Sequence, residues 1–91
     1  MAIMAAELPL DTWRKRLLWR ACHRGIKEMD ILVGGFALRE LPDMAAEQLH
    51  IFEGLMDVPD QDLLAYATGQ AEVPEALDGA ILRGILAFRT A

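Results

Sequence analysis

The chain contains no serine, and its three threonines, Thr12, Thr68 and Thr90, fall near the ends of predicted elements. Hydroxyl nucleophiles therefore have little to be built from. Cys22 is the only cysteine, so no internal disulfide exists, as suits a reducing compartment. Its neighbours Leu18 and Ala21 mark it as a packing thiol rather than a reactive one. His23 follows Cys22, but adjacent residues on a helix point about 100° apart and do not form a dyad. His23 and His50 lie far apart, and neither stands at a ligand spacing from Cys22, so no metal site is expected. Glycine-rich phosphate loops are missing as well. The longest apolar run, Ile31 to Leu38, is too short to span a bilayer. No segment alternates apolar and polar residues over a strand's length, which leaves helices as the building material.

Basic residues are scarce in one half of the chain. Residues 41–91 hold two Lys/Arg against nine Asp/Glu, whereas residues 1–40 hold seven against five. The net charge of −5 thus conceals a basic stripe. Arg14, Lys15, Arg16, Arg20, Arg24 and Lys27 occur with no acid from Thr12 to Lys27. An acidic chain is a poor general ligand for nucleic acid, which needs many uncompensated cations. The stripe is better matched to an acidic patch on a protein partner.

Ninety-one residues make one small domain. Such a chain buries only about 60–65% of its unfolded surface, leaving no room for a deep cleft. Residues 1–10 lack Lys and Arg, are interrupted by Glu7, and are expected to form a flexible tail rather than a leader peptide, with Met4 as a second candidate start. Residues 11–91 are expected to form an all-α, compact, single-domain five-helix bundle.

Helix one is predicted to start at Asp11 or Thr12, with Trp13, Leu17 and Ala21 on its buried stripe. Gly25 ends it. Helix two runs from Ile26 to Leu41 and buries Ile26, Met29, Val33, Phe36 and Ala37. Its Gly34-Gly35 pair costs about 1 kcal/mol per glycine relative to alanine, and signals a close helix approach or a bend. Helix three runs from Asp43 to Met56 on the stripe Ala45, Leu49, Phe52, Met56. Helix four begins after Pro59, draws Asp60 and Asp62 to its positive end, and stops at Gly69. Helix five starts at Pro74-Glu75, with Leu77, Ile81, Ile85 and Phe88 inward.

Two features are left over. Trp19 lies off the apolar stripe among Arg16, Arg20 and His23, and reads either as an interface anchor or as packing beneath a neighbouring helix. The run His23-Arg24-Gly25-Ile26-Lys27-Glu28-Met29-Asp30 reads either as a helix end with an Arg24–Glu28 ion pair, or as a recognition corner.

Arg24-Gly25-x-x-Glu28, with Trp19 upstream and Met29-Asp30 downstream, resembles the RGxxE signature of the succinate dehydrogenase assembly factor (flavinator) family. The likeness extends from about Thr12 to Phe88 and includes Ile51-Phe52 and the Asp-rich stretch Asp57 to Leu64. His23, Ile26 and Tyr66 stand where many relatives carry arginine, methionine and tryptophan. The resemblance implies a five-helix fold and a non-enzymatic chaperone role. Such a chaperone promotes covalent attachment of FAD to a histidine of the flavoprotein subunit of succinate dehydrogenase, and in some bacteria of fumarate reductase. It implies that Arg24, Gly25 and Glu28 meet the partner, with Asp30, Arg20 and Trp19 beside them. FAD is then the partner's cofactor, with none stably held by this chain. The expected state is a monomer in the bacterial cytoplasm, without membrane insertion. A helical adaptor or antitoxin-like regulator of another protein target is the alternative.

Overall fold

A computed structural model of the chain describes residues 9–88. The expected tail falls on residues 1–10, most of which lie outside the described residues, as does the end of the expected domain. Five helices make up the fold: α1 (Leu10–Cys22), α2 (Lys27–Glu40), α3 (Ala46–Met56), α4 (Asp60–Thr68) and α5 (Ala80–Leu86). Short 3₁₀ turns at Leu41–Asp43 and Glu75–Leu77 precede α3 and α5. There is no strand among the described residues.

The core forms where α1, α2 and α3 meet, and α4 and α5 close it. Trp13, Leu17 and Ala21 of α1 are buried against Met29, Val33, Phe36 and Ala37 of α2. Leu49, Phe52, Leu55 and Met56 come from α3, Leu63 from α4, and Leu82 and Ile85 from α5. Phe36 stacks on Phe52 with ring centroids 6.2 Å apart. The glycine pair in α2 serves close approach, and each glycine faces a different neighbour. A methyl at Gly34 would lie 3.1 Å from the Cys22 sulfur and 3.3 Å from the Cys22 Cα, so α1 and α2 touch nearly backbone to backbone there. A methyl at Gly35 would collide with the Phe88 ring.

The helix starts depart from expectation in instructive ways. Helix α1 begins one residue early, at Leu10, with Pro9 preceding it and no side chain capping it. Asp11 is instead an acid of the first turn, paired with Arg14 at 3.2 Å. Helix α3 begins three residues late. Met44 is extended, its side chain is buried, and its carbonyl accepts from Arg14 at 2.8 Å. Met44 therefore takes the core position assigned to Ala45, which is exposed. Ala45 precedes α3 as its cap residue, and its N–H is satisfied by the Gln48 side chain at 2.9 Å.

Helix α5 begins five residues later than Glu75. Gly79 is extended, and Asp78 receives two bonds from the Arg83 guanidinium, at 2.6 and 2.7 Å. That hydrogen bonding holds the Asp78 carboxyl below its ordinary range. The late start turns Leu82 fully inward and leaves Leu77 and Ile81 half-buried. At the other end of α4, Gly69 takes the left-handed conformation (φ 79°) and stops the helix as expected.

Two glycine substitutions test this packing in opposite directions. A methyl at Gly84 would sit 2.7 Å from the Phe36 ring, so the ring must shift from its stack on Phe52 to admit it. Gly84→Ala is expected to destabilise by about 1–3 kcal/mol through overpacking. Gly54 lies in α3 with nothing near its added methyl, so Gly54→Ala is expected to stabilise by about 0.5–1 kcal/mol. Chemical denaturation of both variants measures the pair.

Candidate functional site

The residues singled out in the sequence gather where α1 turns into α2, but they do different jobs there. Helix α1 ends at Cys22, with His23 as its cap residue, and α2 starts only at Lys27. Arg24 therefore lies in the connection and not in the register of α2. The Arg24–Glu28 ion pair, one of the two readings of this run, does not form. The guanidinium of Arg24 turns inward to the α3–α4 connection instead. Its Nε donates to Asp60 Oδ1 at 2.6 Å, one terminal nitrogen to the Met56 carbonyl at 2.8 Å, and the other to the Val58 carbonyl at 2.8 Å.

The side chains of this ion pair are 9% and 16% exposed. Met56 ends α3, so the guanidinium satisfies one carbonyl that the helix terminus leaves unpaired, at the end where positive charge is favoured, and one in the connection beyond it. Asp60 lies in the first turn of α4, where negative charge is favoured. It also holds the backbone of the connection, since its Oδ2 accepts from the Ile26 N–H at 3.4 Å. Asp30, half-buried in the first turn of α2, accepts from the Arg24 N–H at 2.6 Å. Arg20 adds an outer tie to Asp57 at 2.8 Å.

Gly25 is the exposed apex of this corner. Its φ of +122° is a conformation that side-chain-bearing residues rarely adopt. Space within the fold is not the constraint, because an added methyl would meet nothing closer than Asp60 Oδ2 at 3.6 Å. The backbone angle is what requires glycine here. The angle occurs two residues beyond the helix cap, so Gly25 shapes the connection and does not itself end α1.

Glu28 stands apart from the clamp. It is exposed and borders a groove of about 310 Å³ lined by Ile31, Leu32, Leu64, Ala67, Thr68 and Leu86. Trp19 is 63% exposed on α1, which decides against packing beneath a neighbouring helix. It stacks on His23 with ring centroids 4.2 Å apart and planes 13° from parallel. The structure thus brings Arg24, Gly25, Asp30 and Asp60 into one cluster, with Arg20–Asp57 at its edge. The local sequence marks Asp60 only as a helix-start charge. Its pairing spans 36 residues, and the only hint in the sequence is an Asp-rich helix start in a chain with an excess of arginine upstream. Among the described residues, no group of His, Cys, Asp or Glu side chains could hold a metal ion.

A sequence model of the family described as flavinator of succinate dehydrogenase matches residues 15–89. The chain belongs to this family. It is 40% identical over 78 residues to the FAD assembly factor SdhE of Acetobacter pasteurianus, covering 86% of this chain and 72% of that protein. It is 32% identical over 74 residues to the mitochondrial succinate dehydrogenase assembly factor 2 of Dictyostelium discoideum, covering 81% of this chain and 52% of the relative. A Drosophila mojavensis counterpart, assembly factor 2-B, is 34% identical over 77 residues, with 82% and 49% covered. The chain therefore spans about half the length of these mitochondrial relatives.

As a flavinator-family member, this chain places Arg24 inside its own fold, with the three donors of its clamp committed there. Arg24→Ala is expected to cost about 3 kcal/mol, because it strands a mostly buried carboxylate and two carbonyls. Glu28→Ala is expected to stay within about 0.5 kcal/mol of the parent, as exposed positions do. Thermal and urea unfolding of the two variants side by side checks both expectations.

Proposed function

We propose that this protein is an assembly factor that binds the flavoprotein subunit of succinate dehydrogenase and promotes covalent attachment of FAD to that subunit. Family membership supports the assignment to assembly. The observation that carries the binding surface is the corner itself, an exposed glycine apex held from beneath by a nearly buried arginine clamp. The apex permits close backbone approach, and the clamp fixes its shape before binding. A preformed surface loses less conformational freedom on association than a flexible loop.

Arg24 acts in this reading as a positioning residue. Its guanidinium fixes the connection, so that Gly25 presents its backbone and Glu28 its carboxylate at a set separation. Asp30 fixes the same connection through the Arg24 N–H. The helper supplies no chemistry of its own. Binding one conformation of the flavoprotein better than the others raises that conformation's population. If the favoured conformation holds the flavin and the partner's histidine in near-attack geometry, orientation alone accelerates the bond by several orders of magnitude. No described helix is long and apolar enough to cross a membrane.

Co-expression of the flavoprotein subunit with and without this chain, at limiting FAD, tests the assignment. Covalent flavin fluorescence on a denaturing gel is expected to rise several-fold when the chain is present. Equal fluorescence in both lanes would falsify the assembly role. Gly25→Arg adds a bulky cation at the exposed apex, and is expected to return fluorescence towards the level without the chain. Circular dichroism of that variant separates a lost surface from a lost fold. A folded Gly25→Arg protein with full activity would remove Gly25 from the interface.

A further inference from the structure

The cations from Arg14 to Lys27 separate into two sets: those held by a partner within the fold, and Lys15, Arg16 and Lys27, which are exposed and make no ion pair among the described residues. Arg14 is committed to Asp11 and the Met44 carbonyl, Arg20 to Asp57, and Arg24 to Asp60 and two carbonyls. Of the second set, Arg16 lies one helical turn before Trp19 and two turns before His23, so the three residues share one face of α1. The cations available to a partner are therefore not the ones the RGxxE signature emphasises.

The aromatic pair on this face is fixed in place. His23 Nδ1 lies 2.7 Å from the Trp19 carbonyl, and because a carbonyl only accepts, this nitrogen carries the proton and donates it. The imidazole packs on one side of the indole, which remains 63% exposed. A tryptophan left this open yet held against a bonded neighbour has little freedom to lose on docking. Tryptophan and arginine are also the residue types that most often dominate interface energy.

We infer that the Arg16–Trp19–His23 face of α1 is a second docking surface, taking an acidic segment of the partner protein in which an apolar side chain sits beside carboxylates. The apolar side chain lies on the indole and the carboxylates meet Arg16. The sign of the uncompensated charge selects an acidic occupant. The inference rests on the reading that the partner is the flavoprotein subunit, and it extends the contact from the Gly25 corner back along α1.

Calorimetric titration of the folded chain with the cognate flavoprotein subunit, at two salt concentrations, tests it. Trp19→Ala is expected to weaken binding about 30-fold, the loss typical of an interface hot spot. Arg16→Glu is expected to weaken it further at low salt and to flatten its salt dependence. Both positions are exposed, so both variants should melt with the parent protein. If the parent binds and both variants keep its affinity and salt response, this surface is wrong and the assembly role survives. If the parent does not bind the subunit at all, both assignments fall together. Concentration-dependent self-association abolished by Arg16→Glu would overturn the inference by giving the face to a second copy of the chain.

Discussion

Arg24 joins the α1–α2 connection to the α3–α4 connection through one planar group. Its guanidinium reaches a carboxylate and two carbonyls that belong to a five-residue stretch, Met56 to Asp60. The geometry suits arginine specifically, because its donors form a rigid fork, whereas lysine is a point charge on a flexible stem. Taking the ion pair out of water is costly, and the cost is offset only because the remaining donors and acceptors are matched. The other features of the corner follow from this contact. The inward guanidinium leaves Gly25 at the apex, Asp60 reaches the Ile26 N–H, and Asp30 closes the loop from the opposite side.

Around the clamp the fold is thin. The core is a single apolar cluster in which no described polar residue is fully buried. A domain of this size hides a modest fraction of its surface, so a few well-made polar ties contribute visibly to its stability. Gly34 adds to this by letting α2 lie directly against the end of α1. Close approach there seats the end of α1 against the middle of α2, just before the connection that Arg24 locks. Packing and polar ties thus converge on the same corner, while Trp19, Arg16 and Glu28 remain on the outside.

Much of the fold was legible because helical periodicity reports burial directly. The α1 stripe of Trp13, Leu17 and Ala21 is buried as read, and so is most of the α2 stripe. The errors arose where a long-range contact overrode a local signal. Asp43 is a good cap residue by type, but Arg14 captures the Met44 carbonyl thirty residues away and delays α3. Asp11 looked like a cap and serves as an ion-pair partner within the first turn. For the candidate site, the sequence located the corner and its glycine but not the direction of its charges. Arg24 and Glu28 sit four apart, which suggests a helical pair. Only the tertiary fold reveals that Arg24 precedes the helix and has an acceptor 36 residues on. The resemblance to flavinators named the motif without saying which of its residues face inward.

The separation between Arg24 and its acceptors, from 32 to 36 residues, has a temporal consequence. Contacts this distant in sequence close only after the intervening α2 and α3 have been brought into place, since chain entropy opposes early closure. The corner therefore takes its defined shape only in a chain whose α3–α4 connection is already in place. A half-made or damaged chain offers an unlocked connection in place of a defined apex. The surface vouches for the completeness of the molecule behind it, so incompletely folded copies make poor competitors for the partner.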